Sequence, residues 1–118
     1  MSVNKKLIET YFATPDRSKV GELLTDAVEW VEWADGVPAT GVRQRGKMAY
    51  LANSGDDEHH TNISRWVEEG NTVVAEGTTR VTKRDGRVFH VQFVDIFELE
   101  SGKIMRKTSY GALLKDPS

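Results

Sequence analysis

The stretch Phe93-Val94-Asp95-Ile96-Phe97-Glu98-Leu99-Glu100-Ser101-Gly102-Lys103-Ile104 decides the fold. Val91, Phe93, Asp95 and Phe97 alternate with His90, Gln92, Val94 and Ile96, the period of two that belongs to a strand with two bulky faces. Ser101-Gly102 is a turn pair, so Lys103 to Gly111 returns as the last strand. Upstream, Asp85-Gly86 is a hairpin signal. It joins a long strand, Arg87 to Glu100, to a Val- and Thr-rich one, Thr72 to Lys83. Glu69-Gly70-Asn71 closes an earlier strand, His60 to Val67. The second half is therefore expected to be an antiparallel meander.

The first half changes period. Val3, Leu7, Ile8, Tyr11 and Phe12 fall on one face of a helix over Ser2 to Ala13, with Ser2 as its N-cap. Pro15 interrupts, and Asp16 is placed to cap a short second helix carrying Val20, Leu23 and Leu24. From Ala27 a strand puts Val28, Trp30 and Glu32 on one side and Glu29, Val31 and Trp33 on the other. Residues 34–38 read as a loop and Gly41 to Asn53 as a third helix, ended by Ser54-Gly55-Asp56-Asp57. Helix, helix, strand, helix and then four antiparallel strands predict one α+β domain over residues 1–118, with its helices on one sheet face. A long twisted sheet under helices can curl into a cone around an apolar pocket.

Composition removes several classes. There is no cysteine, so disulfide and thiolate chemistry are excluded. Sixteen basic residues face 18 acidic ones, without the basic excess of a nucleic-acid binder. Arg43, Arg45 and Lys47, and Lys83, Arg84 and Arg87, read as solvated surface. No apolar run is long enough for a membrane helix, and the N-terminal segment lacks a signal-peptide pattern, so a cytoplasmic protein with no membrane or nucleic-acid partner is expected. Neither a Gly-x-Ser-x-Gly nucleophile motif nor a phosphate-binding glycine loop occurs, and no cofactor is expected. Asp56-Asp57-Glu58-His59-His60 has metal-binding residue types, but adjacent histidines on a strand point to opposite faces, so no metal site is expected.

The chemistry centres on Asp95, set between Phe93 and Phe97 on an otherwise apolar strand face. Desolvation raises a carboxyl pKa, and a neutral carboxylic acid can donate to a carbonyl oxygen that is gaining charge. Tyr11 offers a second donor from the apolar face of its helix. Glu32, ionised, could remove a proton from carbon next to a carbonyl. Trp30, Tyr50, His60, Phe93 and Phe97 are expected to line the substrate site. A purely structural Asp95, satisfied by the hydroxyl of Tyr11, Tyr50 or Thr108, is the competing reading. On parity His90 faces away from Asp95.

The 93–104 stretch resembles the signature strand–turn–strand of SnoaL-like and ketosteroid-isomerase-like proteins of the nuclear-transport-factor-2 superfamily. Leu23-Leu24-Thr25-Asp26-Ala27-Val28-Glu29-Trp30 resembles their second-helix-to-first-strand junction, and Gly36-Val37-Pro38-Ala39-Thr40-Gly41 the loop that follows. The resemblance spans nearly the whole chain. It implies a cone of three helices packed on a strongly curved antiparallel sheet. It also implies Glu32 near the position of the catalytic base (where those isomerases carry Asp), Tyr11 near the first-helix tyrosine, and Asp95 at the oxyanion-binding acid. Limonene-epoxide-hydrolase-like relatives carry an Arg where this chain has Phe93.

Two functions follow as expectations. One is cofactor-free proton transfer on a small apolar carbonyl compound, as an isomerase or cyclase. The other is a non-catalytic binding module. A homodimer is expected, and in the binding-module reading the face carrying His90, Gln92, Val94 and Ile96 is its contact.

Overall fold

In the computed structural model, which describes residues 2–14, 17–33, 42–52 and 58–114, the Ser2 hydroxyl accepts the Lys5 N–H at 3.0 Å and starts helix α1, Val3–Ala13. Such a cap stabilises a helix by about 1 kcal/mol. The other helices are shorter than the sequence suggests. Helix α2, Arg17–Val20, is a single turn that runs into a 3-10 turn at Gly21–Leu23. Helix α3 spans Lys47–Ala52. The expected three-helix layer thus amounts to about two helices. Asp16, the expected cap of α2, lies outside the described residues, as do the 34–38 loop and Asp56-Asp57.

Helix α3 begins later than expected for a reason the sheet supplies. Six strands form one sheet: β1 Leu24–Trp33, β2 Val42–Arg45, β3 Glu58–Glu69, β4 Thr72–Thr82, β5 Val88–Glu100 and β6 Lys103–Leu113, in the order β2-β1-β6-β5-β4-β3. Val42–Arg45, read from sequence as helix, pairs antiparallel with Glu29–Glu32 and covers the free edge of β1. Gly46, at φ +101°, then turns the chain, and its N–H reaches the Val28 carbonyl at 2.7 Å. Strands β3 to β6 form the expected meander, but β6 meets β1 in parallel, so the curved sheet is mixed and not wholly antiparallel.

One irregularity fixes which side chains face the helices. Ser101 (φ 51°) and Gly102 (φ 78°) form a tight hairpin turn of the type that suits twisted strands, pairing Glu100 with Lys103 and Leu99 with Ile104. The register then slips by one residue, and Glu98 pairs with Arg106. Beyond this bulge Phe97 meets Lys107, Asp95 meets Ser109 and Phe93 meets Gly111. Because side chains alternate, the extra residue turns Lys107 and Ser109 to the inner, helix-covered face, where the uninterrupted register would have placed Arg106 and Thr108.

The core lies between that face and α1. Ile8, Val28, Val73 and Phe97 are fully buried, and Tyr11 and Phe93 nearly so. Phe97 meets the rings of Tyr11 and Phe12 edge-on at 5.3 and 5.7 Å. Each fully buried side chain of this kind contributes about 1.5–3 kcal/mol. Trp66 packs into the same layer against Phe12 at 6.4 Å.

A second bulge, between Ile63 and Arg65 in β3, leans its backbone onto Gly77 of β4. A Cβ on Gly77 would come within 2.9 Å of the Ile63 Cα, with only backbone to give way. Gly77→Ala is expected to lower stability by about 1–3 kcal/mol, read as a lower urea midpoint at unchanged slope. An unaltered midpoint would show that the two strands separate here without cost.

Candidate functional site

The ladder pairs assemble the site from four strands. Glu32 of β1, Ser109 of β6, Asp95 of β5 and Ala75 of β4 are direct neighbours, so their side chains share one row on the inner face. The adjacent row is Trp30, Lys107, Phe97 and Val73. Helix α1 lays Tyr11 over these rows, and α3 brings in Tyr50, whose ring stands edge-on to Trp30 at 4.8 Å.

Asp95 is 4% exposed, the one polar or charged residue among the described residues that is buried. The Ser109 hydroxyl donates to its Oδ1. The Lys107 ammonium lies 3.8 Å from its Oδ2. Lys107 Nζ also donates to the Tyr11 hydroxyl at 3.2 Å, and the Tyr11 and Tyr50 hydroxyls are hydrogen-bonded to each other. The ammonium sits over the ring of Tyr11, 5.3 Å from its centroid, and 6.0 Å from that of Phe97. Burial opposes the charge on Lys107. The electrostatic pull of Tyr11, Asp95 and Tyr50, with the hydrogen bond to Tyr11, outweighs it and holds the ammonium pKa well above the ordinary lysine value.

The arrangement is a connected polar cluster inside an aromatic core. A phenolic oxygen both accepts and donates. Lys107 donates to the Tyr11 oxygen, and in the Tyr11–Tyr50 hydrogen bond either hydroxyl can be the donor.

The expected site residues separate into two groups. Tyr11, Tyr50, Trp30, Phe93, Phe97 and Asp95 come together on the inner face, with Phe93 touching Phe12 at 6.0 Å. Glu32 is on the Asp95 row but exposed, at the open end of β1. His60 is not brought to this face: it pairs with Arg80, which pairs with His90, on the side opposite Asp95. Its side chain is 57% exposed beside Glu58, 3.3 Å away. Of the structural partners considered for Asp95, Thr108 is turned to the outer face by the bulge and Ser109 takes its place. Lys107, the cation of the site, is absent from the sequence-based set. Nothing in the run Lys103-Ile104-Met105-Arg106-Lys107 distinguishes it from Arg106 until the bulge is known. Among the described residues no group of His, Asp or Glu could hold a metal, and no helix is long and apolar enough to cross a membrane.

The family model for the SnoaL-like domain matches residues 5–107. The chain belongs to that family. Solved structures similar to this SnoaL-like domain share its fold. An NTF2-like protein of unknown function from Burkholderia pseudomallei superposes with a TM-score of 0.73 at 24% identity, covering 92% of this chain and 90% of that one. An LEH-like epoxide hydrolase from M. tuberculosis gives 0.75 at 19% identity, covering 92% and 82%. A putative ketosteroid isomerase from Kribbella flavida gives 0.70 at 20% identity, covering 98% and 82%. Among curated proteins none matches the chain. The NTF2-like architecture expected from the 93–104 stretch is therefore confirmed.

The Lys107–Asp95 pair makes a stability test available. Removing one member strands the other charge in a buried setting, a change that costs about 3–5 kcal/mol in buried pairs. Lys107→Met is expected to lose about 3 kcal/mol at pH 7, and Asp95→Asn added to it is expected to recover part of the loss. Because the folded-state lysine value is raised, its contribution is complete below the ordinary value of about 10.4 and declines as pH rises beyond it. The gap between wild type and Lys107→Met in urea unfolding should therefore narrow above that pH. A gap that is constant to pH 12 would separate Lys107 from the charge pair.

Proposed function

We propose that this SnoaL-like domain binds a small apolar carbonyl compound in a pocket between α1 and the inner sheet face, and moves a proton on the carbon next to the carbonyl. The observation that carries this reading is the row Glu32–Ser109–Asp95. Two carboxyl side chains flank one strand, their Cα atoms roughly 10 Å apart at two strand spacings, one in solvent and one among aromatic rings. Separate environments suit carboxyls with separate tasks. Glu32, hydrated and at the open end, takes the proton. The Tyr11 hydroxyl, with the Lys107 ammonium hydrogen-bonded to it, holds the oxygen on which negative charge gathers, and Asp95, the carboxylate facing that ammonium, keeps it in place. Trp30, Tyr50, Phe93 and Phe97 supply the apolar walls. Catalysis then comes from positioning and from dipoles already in place, with no cofactor.

The similarity to a putative ketosteroid isomerase supports this class of reaction at the level of fold. The similarity to an epoxide hydrolase is also one of fold. Phe93 is an apolar, buried residue two positions before Asp95, so the arginine–aspartate pairing of limonene-epoxide-hydrolase-like relatives cannot form there.

The test is hydrogen–deuterium exchange at the carbon next to the carbonyl, followed by NMR in D2O over a panel of enones and 1,3-dicarbonyl compounds. Wild type is expected to accelerate exchange, Glu32→Gln to lose about 10²–10⁴-fold and Asp95→Asn about 10²-fold or more. No acceleration by wild type, or full acceleration by the double variant, refutes the reaction and leaves a binding module.

The same reading includes a homodimer through the outer face. Val31, Thr108, Ile96, Val74 and Val67 form one ladder row there, next to Trp33, Tyr110 and Val94. Val67 and Tyr110 are 47% and 46% exposed. A largely apolar strip of this kind, its second row continued by the Glu76–Arg65 pair, suits a protein contact. Sedimentation is expected to show a dimer at micromolar concentration that Ile96→Lys converts to a folded monomer. A wild-type monomer at that concentration rules the dimer out.

A further inference from the structure

We infer that the site takes its ligand as an anion: the ammonium of Lys107, beside the Tyr11 hydroxyl, receives an oxygen of full negative charge on a small apolar or aromatic molecule. This deepens the reaction proposed above and rests on the same site, but it concerns binding and needs no turnover.

Three observations carry the inference. First, Lys107 is on the inner face only because of the β6 bulge, one ladder step from Phe97 and one from Trp30. An ammonium at the centre of an aromatic core carries a large desolvation penalty unless anions or dipoles answer it. Second, the answer within the protein is incomplete in geometry. An ammonium has three N–H donors. Among the described residues one is engaged in a hydrogen bond, to Tyr11 at 3.2 Å, while Asp95 Oδ2 stands at 3.8 Å, an ion pair beyond hydrogen-bond reach. The Asp95 Oδ1 is taken by Ser109. Third, the Lys107 side chain keeps 21% of its exposure where that of Asp95 keeps 5%, so the cation is the more accessible partner. Its pKa is raised, which keeps it charged and removes it from use as an amine nucleophile.

The ligand chemistry follows from these constraints. A charged oxygen at Nζ forms short, charge-assisted hydrogen bonds in a setting that excludes water. The rings of Tyr11, Phe97 and Trp30 around it ask for a flat or apolar body. Enolates, phenolates and aromatic carboxylates share this chemistry, and the enolate is the species that proton removal next to a carbonyl creates. Asp95 is then the resting counter-ion that keeps Lys107 in place when no ligand is bound.

The experiment uses the full chain and two anionic probes, 4-nitrophenolate and benzoate, each with a neutral counterpart of similar shape, nitrobenzene and benzamide. Affinities are measured by titration calorimetry, and 4-nitrophenolate is also followed by its visible absorbance. Wild type is expected to bind one anion at least about tenfold more tightly than its neutral counterpart. Lys107→Gln is expected to weaken the anion by about 10- to 100-fold, the loss of one charge-assisted hydrogen bond, while the neutral probe is unchanged. Lys107→Arg, which keeps the charge, should retain most of the preference. If Lys107→Gln is too unstable to titrate, the double variant Lys107→Gln/Asp95→Asn removes both charges together and should show the same loss. The better-held anion tells whether an enolate-like or a carboxylate oxygen is the natural one. Equal binding of anion and neutral probe by wild type, no binding of either, or an anion affinity unchanged in Lys107→Gln or in the double variant overturns the inference. Anion binding without deuterium exchange would leave this inference standing and remove the reaction; exchange without an anion preference would do the reverse.

Discussion

The single extra residue that β6 inserts between its pairings with Leu99 and Glu98 is the constraint on which the interior depends. The tight turn at Ser101-Gly102 sets one register, and the bulge replaces it with another before the strand reaches the core. A one-residue slip reverses every side chain beyond it. Lys107 and Ser109 thereby face Asp95, and Arg106 goes outward to pair with Glu98 at 3.1 Å and Glu29 at 3.6 Å. The uninterrupted register would have put Arg106 and Thr108 inward. The bulge thus settles both which polar groups meet Asp95 and which cation remains on the surface.

The energetic consequence is a core that carries charge by design of its neighbours. A buried carboxylate without partners would cost several kcal/mol. Here Ser109, Lys107, Tyr11 and Tyr50 form one connected set, and among the described residues no buried side-chain nitrogen or oxygen is left without a hydrogen bond. Such a pair is seldom a net source of stability compared with well-packed apolar side chains. The aromatic contacts of Phe97 with Tyr11 and Phe12, and the complete burial of Ile8, Val28 and Val73, hold the fold. The polar set is maintained inside that frame and contributes position more than cohesion.

The division between what was legible and what was not follows the range of the interactions. The α1 cap, the alternation of β1, β4 and β5, and the Asp85-Gly86 and Ser101-Gly102 turns are local features, and the sequence shows them. Asp95, Tyr11, Tyr50, Trp30, Phe93 and Phe97 were legible because each sits on an uninterrupted periodic face. Strand β2 was not, because its formation depends on the free edge of β1, a contact between segments. The shortness of α2 and the parallel β1–β6 pairing belong to the same class. Lys107 was hidden by the β6 bulge, and His60, expected to line the site, goes to the outer face because the β3 bulge between Ile63 and Arg65 shifts the alternation that Trp66 sets.

The placement of these groups also gives the site a direction. Glu32 lies at the open end of β1, and Lys107 is one strand across and two ladder steps deeper. Diagonal neighbours of this kind have Cα atoms roughly 7–8 Å apart. A short molecular fragment spans such a separation. In the reading proposed above, that fragment is a carbonyl and its adjacent carbon, with the oxygen inward and the C–H toward the carboxylate. The order cannot be reversed. A carboxylate takes a proton only when it is ionised, the form that solvent favours, whereas a cation is worth most to a developing oxyanion where water is excluded. A module that only held a neutral apolar molecule would gain nothing from an ammonium in its floor. The location of Lys107 therefore argues for a ligand that carries, or comes to carry, negative charge at its inner end.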